Sequence, residues 1–116
     1  MKAYFSIILL FVTTTFLFSC TKVDVPANTP SCIKKQIIKI AKHKVYNPPA
    51  KVYRLTYKDY TYYYISSDCC DQYSFICDKD CNTICAPDGG LTGQGDGNCP
   101  SFIDSMQSTL IWEDHR

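Results

Sequence analysis

Eight cysteines in 116 residues constrain this chain more than any other feature. A domain this short has room for one small hydrophobic core, and such a cysteine load marks chains that add disulfides to it in an oxidising compartment. Cytosolic domains of this size rarely carry so many. Five glycines, six prolines and a formal net charge of +1 exclude a disordered or collagen-like chain. No nucleic-acid partner is expected.

The first cysteine has a different role from the rest. Lys2 gives a positive start, Ala3 to Val12 is mostly apolar, Thr13-Thr14-Thr15 interrupts, and Phe16-Leu17-Phe18 resumes before Ser19-Cys20. No charge falls between Lys2 and Lys22. This is the pattern of an export signal; a membrane anchor is the alternative, at the lower limit of spanning length and with three threonines inside it. Leu17-Phe18-Ser19-Cys20 resembles the lipobox of bacterial lipoproteins, which implies lipidation of Cys20 by diacylglycerol and a further acyl chain such as palmitate. Two or three acyl chains hold a protein stably at a membrane, whereas one does not. The expected organisation is a signal peptide over residues 1–19, a lipidated flexible tether over 20–29, and one domain over 30–116. Thr21 after the cysteine does not match the aspartate that retains lipoproteins in the inner membrane, so the expected location is the cell envelope, at the outer membrane.

Charge is divided along the remainder. Cys20 to Lys58 holds nine Lys/Arg against one acid, Asp24, and Asp59 to Arg116 holds two against ten. The expectation is that the halves fold together; the alternative is a basic half facing anionic lipid or glycan. Thr29-Pro30-Ser31 reads as a helix start with Thr29 as N-cap. Ile33, Ile37 and Ile40 form an apolar stripe, with lysines on the remaining surface and an end near His43, before Asn47-Pro48-Pro49. Packing of the stripe on a sheet is expected, and lying on a membrane is the alternative.

Lys51–Tyr57 and Tyr60–Ser66 read as two strands of a hairpin around Lys58-Asp59. That loop pairs Tyr57 with Tyr60, Leu55 with Tyr62 and Tyr53 with Tyr64, placing five tyrosines and a leucine on one face. Cross-strand packing suffices to explain them; an exposed tyrosine platform for a glycan or protein is the functional alternative. Tyr73–Cys77 and Cys81–Cys85 read as a further hairpin, Pro87–Pro100 as a long loop, and Thr109–Trp112 as a last strand. The sum is an α+β domain: an N-terminal helix packed on a small antiparallel sheet, stapled by disulfides.

With Cys20 lipidated, Cys32, Cys69, Cys70, Cys77, Cys81, Cys85 and Cys99 remain. Seven thiols allow at most three bridges and leave one over. Cys77 and Cys81 flank a turn and are expected to face each other; the adjacent Cys69 and Cys70 are expected to find separate partners. A zinc or iron–sulfur site at Cys77, Cys81, Cys85 and Cys99 is disfavoured by spacing and by export. A redox C-x-x-C is absent. A nucleophilic cysteine would need a base, and His43 and His115 lie at a charged helix end and in the C-terminal tail. Gly93, Gly95 and Gly97 lack the strand-to-helix setting of a dinucleotide loop. Asp78, Asp80, Asn82, Asp88, Asp96 and Asn98 are hard oxygen ligands, but an EF-hand register from Asp78 would need Gly at Thr83 and Glu at Gly89. No cofactor and no metal are expected; an irregular calcium site that stabilises a glycan-binding module is the alternative.

Asp68-Cys69-Cys70-Asp71-Gln72, Ile84-Cys85-Ala86-Pro87-Asp88-Gly89-Gly90, Thr92 to Pro100 and Leu110 to Asp114 together resemble the signature of a family of small Gram-negative lipoproteins whose domain has no known function. Asn47-Pro48-Pro49-Ala50 fits as well, so the resemblance covers most of Ser31–Arg116. It implies envelope attachment and supplies no activity. The expected function is a non-enzymatic envelope lipoprotein with a binding domain, attached to the membrane through its lipid and meeting a protein or glycan. Tyr53, Tyr57, Tyr60, Tyr62, Tyr64, Asp88 and Asp96 are the candidate binding residues. The alternatives are a hydrolase inhibitor presenting the Ala86–Asn98 loop and a glycan-cleaving enzyme using Asp68 with Asp71.

Overall fold

The computed structural model describes residues 22–116. The expected signal peptide, the lipobox and Cys20 lie outside the described residues. Among the described residues the domain is α+β: a helix α1 (Ser31–Ala41), strands β1 (Lys51–Tyr57), β2 (Tyr60–Ile65), β3 (Tyr73–Cys77), β4 (Thr83–Gly89) and β5 (Gln107–Glu113), and a 3-10 turn at Ser101–Ser105. No helix among these residues is long and apolar enough to cross a membrane.

The stripe of α1 is where its periodicity places it, with Ile33, Ile37 and Ile40 all buried. The helix boundary differs by one residue. Pro30 precedes the first turn in extended geometry and no side chain caps it; the Thr29 N–H instead donates to the Pro26 carbonyl. The helix ends at Ala41, two residues short of His43.

The strands form one antiparallel sheet in the order β4-β3-β2-β1-β5. Tyr57 pairs with Tyr60, Leu55 with Tyr62 and Tyr53 with Tyr64, the register a two-residue turn imposes. The first four strands form a meander. The chain then crosses a sheet about 19 Å wide, at ~4.8 Å per strand spacing, to add β5 against β1. That crossing divides the core in two. On one face Val52, Tyr63, Cys77 and Ile111 bury against Ile33 and Ile37. On the other, Leu55, Ile76 and Cys85 lie under the crossing segment, where Cys99, Ile103 and Met106 cover them.

Two expectations change. The segment after Cys85 is not a loop from Pro87: β4 continues to Gly89. Pro87 is tolerated because β4 is an edge strand with a register shift opposite Phe75, where a missing N–H removes no ladder bond. Gly89 and Gly95 have positive φ and no room for a Cβ, which would meet the Gln72 and Ala86 carbonyls respectively. The residues 22–29 are not a free tether throughout, since Val23 and Val25 pack against the α1-side core.

Candidate functional site

The cysteines fix what can move. Cys32 in the first turn of α1 joins Cys81, and Cys85 joins Cys99. Cys69 joins Cys70 in the connection between β2 and β3. Among the described residues Cys77 is the free thiol left over, and it is buried. Two expected pairings are corrected. Cys77 does not face Cys81, because Cys77 pairs across the ladder with Thr83 and its side chain enters the α1-side core, while Cys81 adopts positive φ and reaches the helix. Cys69 and Cys70 do not separate: both are exposed in a surface connection while four other cysteines are bonded elsewhere and Cys77 is buried. Burial raises the Cys77 thiol to about 11, with Asp78 adding to the effect, and the Sγ lies 3.7 Å from the Tyr63 carbonyl.

The tyrosine face is present but partly covered. Tyr53, Tyr62 and Tyr64 are half-buried beneath the crossing segment. Tyr60 is 61% exposed at the hairpin end. There the rings of Tyr60 and Tyr62 lie 6.5 Å apart and within 8° of parallel. Phe102, from the 3-10 turn, stacks on Tyr57 at 6.1 Å and 18° and touches Tyr62 at 6.1 Å. Lys58 Nζ sits 5.2 Å above the Tyr57 ring. Phe102 belongs to this aromatic rim although its sequence context offers no periodicity to mark it. A notch of about 250 Å³ between Tyr57, Lys58, Ser105 and Gln107 borders the rim.

Asp88 and Tyr64 come together and Asp96 does not join them. The Tyr64 hydroxyl donates to Asp88 Oδ2 at 2.8 Å, and burial foremost pushes that phenol to about 12. Asp96 accepts from the Asn98 N–H at 2.9 Å, and this bond foremost holds its carboxyl below the usual range. Asp78 is likewise held low, by Asn82 first, in a turn where it accepts from the Asp80 and Asn82 N–H groups. These bonds are those of turn-forming aspartates. No three His, Cys, Asp or Glu side chains converge on one point among the described residues. Asp68 lines a groove of about 260 Å³ with Lys39 and His43, and Asp71 is exposed outside it. Asp68 Oδ1 accepts from the Asn47 and Cys69 N–H groups.

The two charged halves interleave, since β1 lies between β2 and β5, yet contact ion pairs are few. Among the described residues they are Lys51 with Glu113 at 3.4 Å and Arg116 with Asp114 at 2.6 Å. Lys34, Lys35, Lys39 and Lys42 are exposed and belong to neither.

A groove of about 590 Å³ runs beside β5, between Lys22–Asp24 and Ala41 at the end of α1. Arg116 closes its far side, donating to both carboxylate oxygens of Asp114 and to the His43 carbonyl.

Comparison with known proteins returns no matching curated protein and no matching solved structure. A family profile does match residues 38–114, from the last turn of α1 through all five strands. The chain belongs to the family defined by that domain of unknown function, DUF6970.

Proposed function

We propose that this is a lipid-anchored protein of the bacterial cell envelope, held at the outer membrane through acylated Cys20, whose stapled domain works by binding and not by catalysis. The observation that carries the binding role is the aromatic rim of Tyr57, Tyr60, Tyr62 and Phe102, left open where the crossing segment stops covering the tyrosine face. Flat, near-parallel phenol rings accept the C–H face of a pyranose, whose weakly positive hydrogens meet the negative face of the ring, and their hydroxyls suit the sugar edge. A cell-wall glycan is therefore the partner chemistry the rim fits best. The three disulfides support an oxidising compartment.

Two measurements test this. The mass of the N-terminal peptide from membranes of the native host should show diacylglycerol and acyl chains on Cys20, and Cys20→Ala should release the protein under a high-salt wash. The full chain should co-sediment with purified peptidoglycan, and Tyr60→Ala with Phe102→Ala should reduce retention at least tenfold. Retention unchanged in that double variant would remove the rim from the function.

A second reading is inhibition of an envelope or host hydrolase. Leu91 favours it, standing 90% exposed on a loop pinned by the Cys85–Cys99 bond and by the Asp96 N–H to the Ala86 carbonyl at 2.9 Å. A loop already fixed in shape loses little freedom on docking. Inhibition at micromolar concentration that Leu91→Asp abolishes would establish it, and silence across a protease and lysozyme screen would exclude it.

A further inference from the structure

We infer that the outward face of α1 is a membrane-contact surface, which lies against the anionic headgroups of the leaflet holding the lipid. This rests on the anchored reading above. Three observations carry it.

The first is composition and placement. No acidic residue occurs from Val25 to Lys58. At ~100° per residue, Lys34, Lys35, Lys39 and Lys42 centre roughly opposite the buried stripe of Ile33, Ile37 and Ile40, with the half-exposed Ile38 among them. The one carboxylate sharing a groove with Lys39, Asp68, has an oxygen committed to backbone N–H groups, and none of these lysines is ion-paired. The second is a local rule the helix breaks. Its first turn holds no acid and carries Lys34, followed by Lys35, at the end where the helix dipole disfavours cations. Such a departure from local stability is expected where a surface is kept for contact. The third is where the described chain begins. Lys22, Val23 and Asp24 line the same groove as Ala41, at the Lys42–Lys44 end of the helix. Cys20 is two residues further, at most about 7 Å of chain. The anchor therefore enters the membrane next to the basic face. Asp24 is the single acid on that approach without an ion-pair partner.

Each lysine near an anionic surface strengthens association about fivefold, a factor that multiplies the contribution of the acyl chains. The test uses the full acylated chain in vesicles of phosphatidylglycerol or of phosphatidylcholine, with lysine acetylation rates read by mass spectrometry. On phosphatidylglycerol, Lys35, Lys39 and Lys42 should react at least tenfold more slowly than on phosphatidylcholine. Lys58, whose ammonium lies over the Tyr57 ring on the opposite face of the sheet, should keep its rate, and about 0.5 M salt should restore the others by screening. With Lys35→Gln, Lys39→Gln and Lys42→Gln together, Lys34 and Lys44 should react equally on both vesicles, the fold being verified by circular dichroism. Equal rates on the two lipids in the wild-type chain overturn the inference, as does equal slowing of Lys58. So does the same protection by soluble polyglutamate without vesicles, which would assign the face to an acidic polymer. Cys20 acylation is read independently from the same sample. An unacylated chain with lipid-specific protection would overturn the anchor and keep the face; an acylated chain without it would do the reverse.

Discussion

Two buried side chains, Cys77 and Asp114, have their chemistry set by what surrounds them. Cys77 is the unpaired one of the seven body cysteines, and its position explains why it stays reduced: its Sγ is inside the α1-side core, and burial raises the thiol to about 11. A thiol that is neither ionised at neutral pH nor accessible is inert. Thiol titration of the Cys20→Ala chain should therefore find no reactive group in the native protein and one per chain in guanidinium, that of Cys77. A reactive native thiol would mean that Cys77 is outside the core. Asp114 is the second case, a carboxylate only 4% exposed, gripped by the Arg116 fork that also donates to the His43 carbonyl just past α1. The Arg116 hydrogen bond, above other causes, holds Asp114 below the usual carboxylate range. A depressed carboxyl contributes stability that is present above its unfolded value near ~4 and is lost as pH falls through the folded value. The midpoint temperature should thus drop as pH falls below about 4. Arg116→Ala should lower stability at pH 7 and flatten that drop. Thermal unfolding across that range decides it.

At the level of elements, the disulfides assign each covering segment to its face of the sheet. The Cys32–Cys81 bond spans 49 residues and holds α1 to the β3–β4 turn; Cys85–Cys99 spans 14 and holds the crossing segment against the tyrosine face. In the chain-entropy picture, removal costs about 4 kcal/mol for the longer loop and about 3 kcal/mol for the shorter. Denaturant unfolding of Cys32→Ala/Cys81→Ala and Cys85→Ala/Cys99→Ala should reproduce that order. The reverse order would show that the crossing segment contributes more packing than α1. These elements also show what local sequence carries and what it does not. The α1 stripe and the β1–β2 register are local, set by a period and by a two-residue turn, and both are legible in the residues. Which thiols meet is not local, because it depends on the route the chain takes across the sheet. Phe102 and Met106 are invisible for the same reason, since they touch the tyrosine face only once β5 has paired with β1. The extension of β4 through Pro87 is hidden until β4 is known to be an edge.

In the molecule as a whole, one sheet has two differently used covers. The crossing segment leaves aromatic surface open at the hairpin end, and α1 seals the other face while presenting lysines outward. If those lysines served folding, neutralising or reversing them would destabilise the domain. The opposite is expected here. Lys34 and Lys35 lie near the positive end of the helix, and Lys35 faces Lys39 one turn on, an i,i+4 like-charge pair. Lys34→Glu with Lys35→Glu removes both liabilities and creates a Glu-to-Lys pair in the favourable direction. Together the dipole and pair contributions amount to about 1 kcal/mol, or roughly 4 °C in midpoint temperature for a domain of this size. The same double variant should lose lipid-specific protection of its remaining helix lysines. A gain in stability together with a loss of membrane contact is the signature of residues kept for a surface at the expense of the fold. A loss of stability would instead place Lys34 and Lys35 in the packing of α1, and the outward face would then be explained by folding alone.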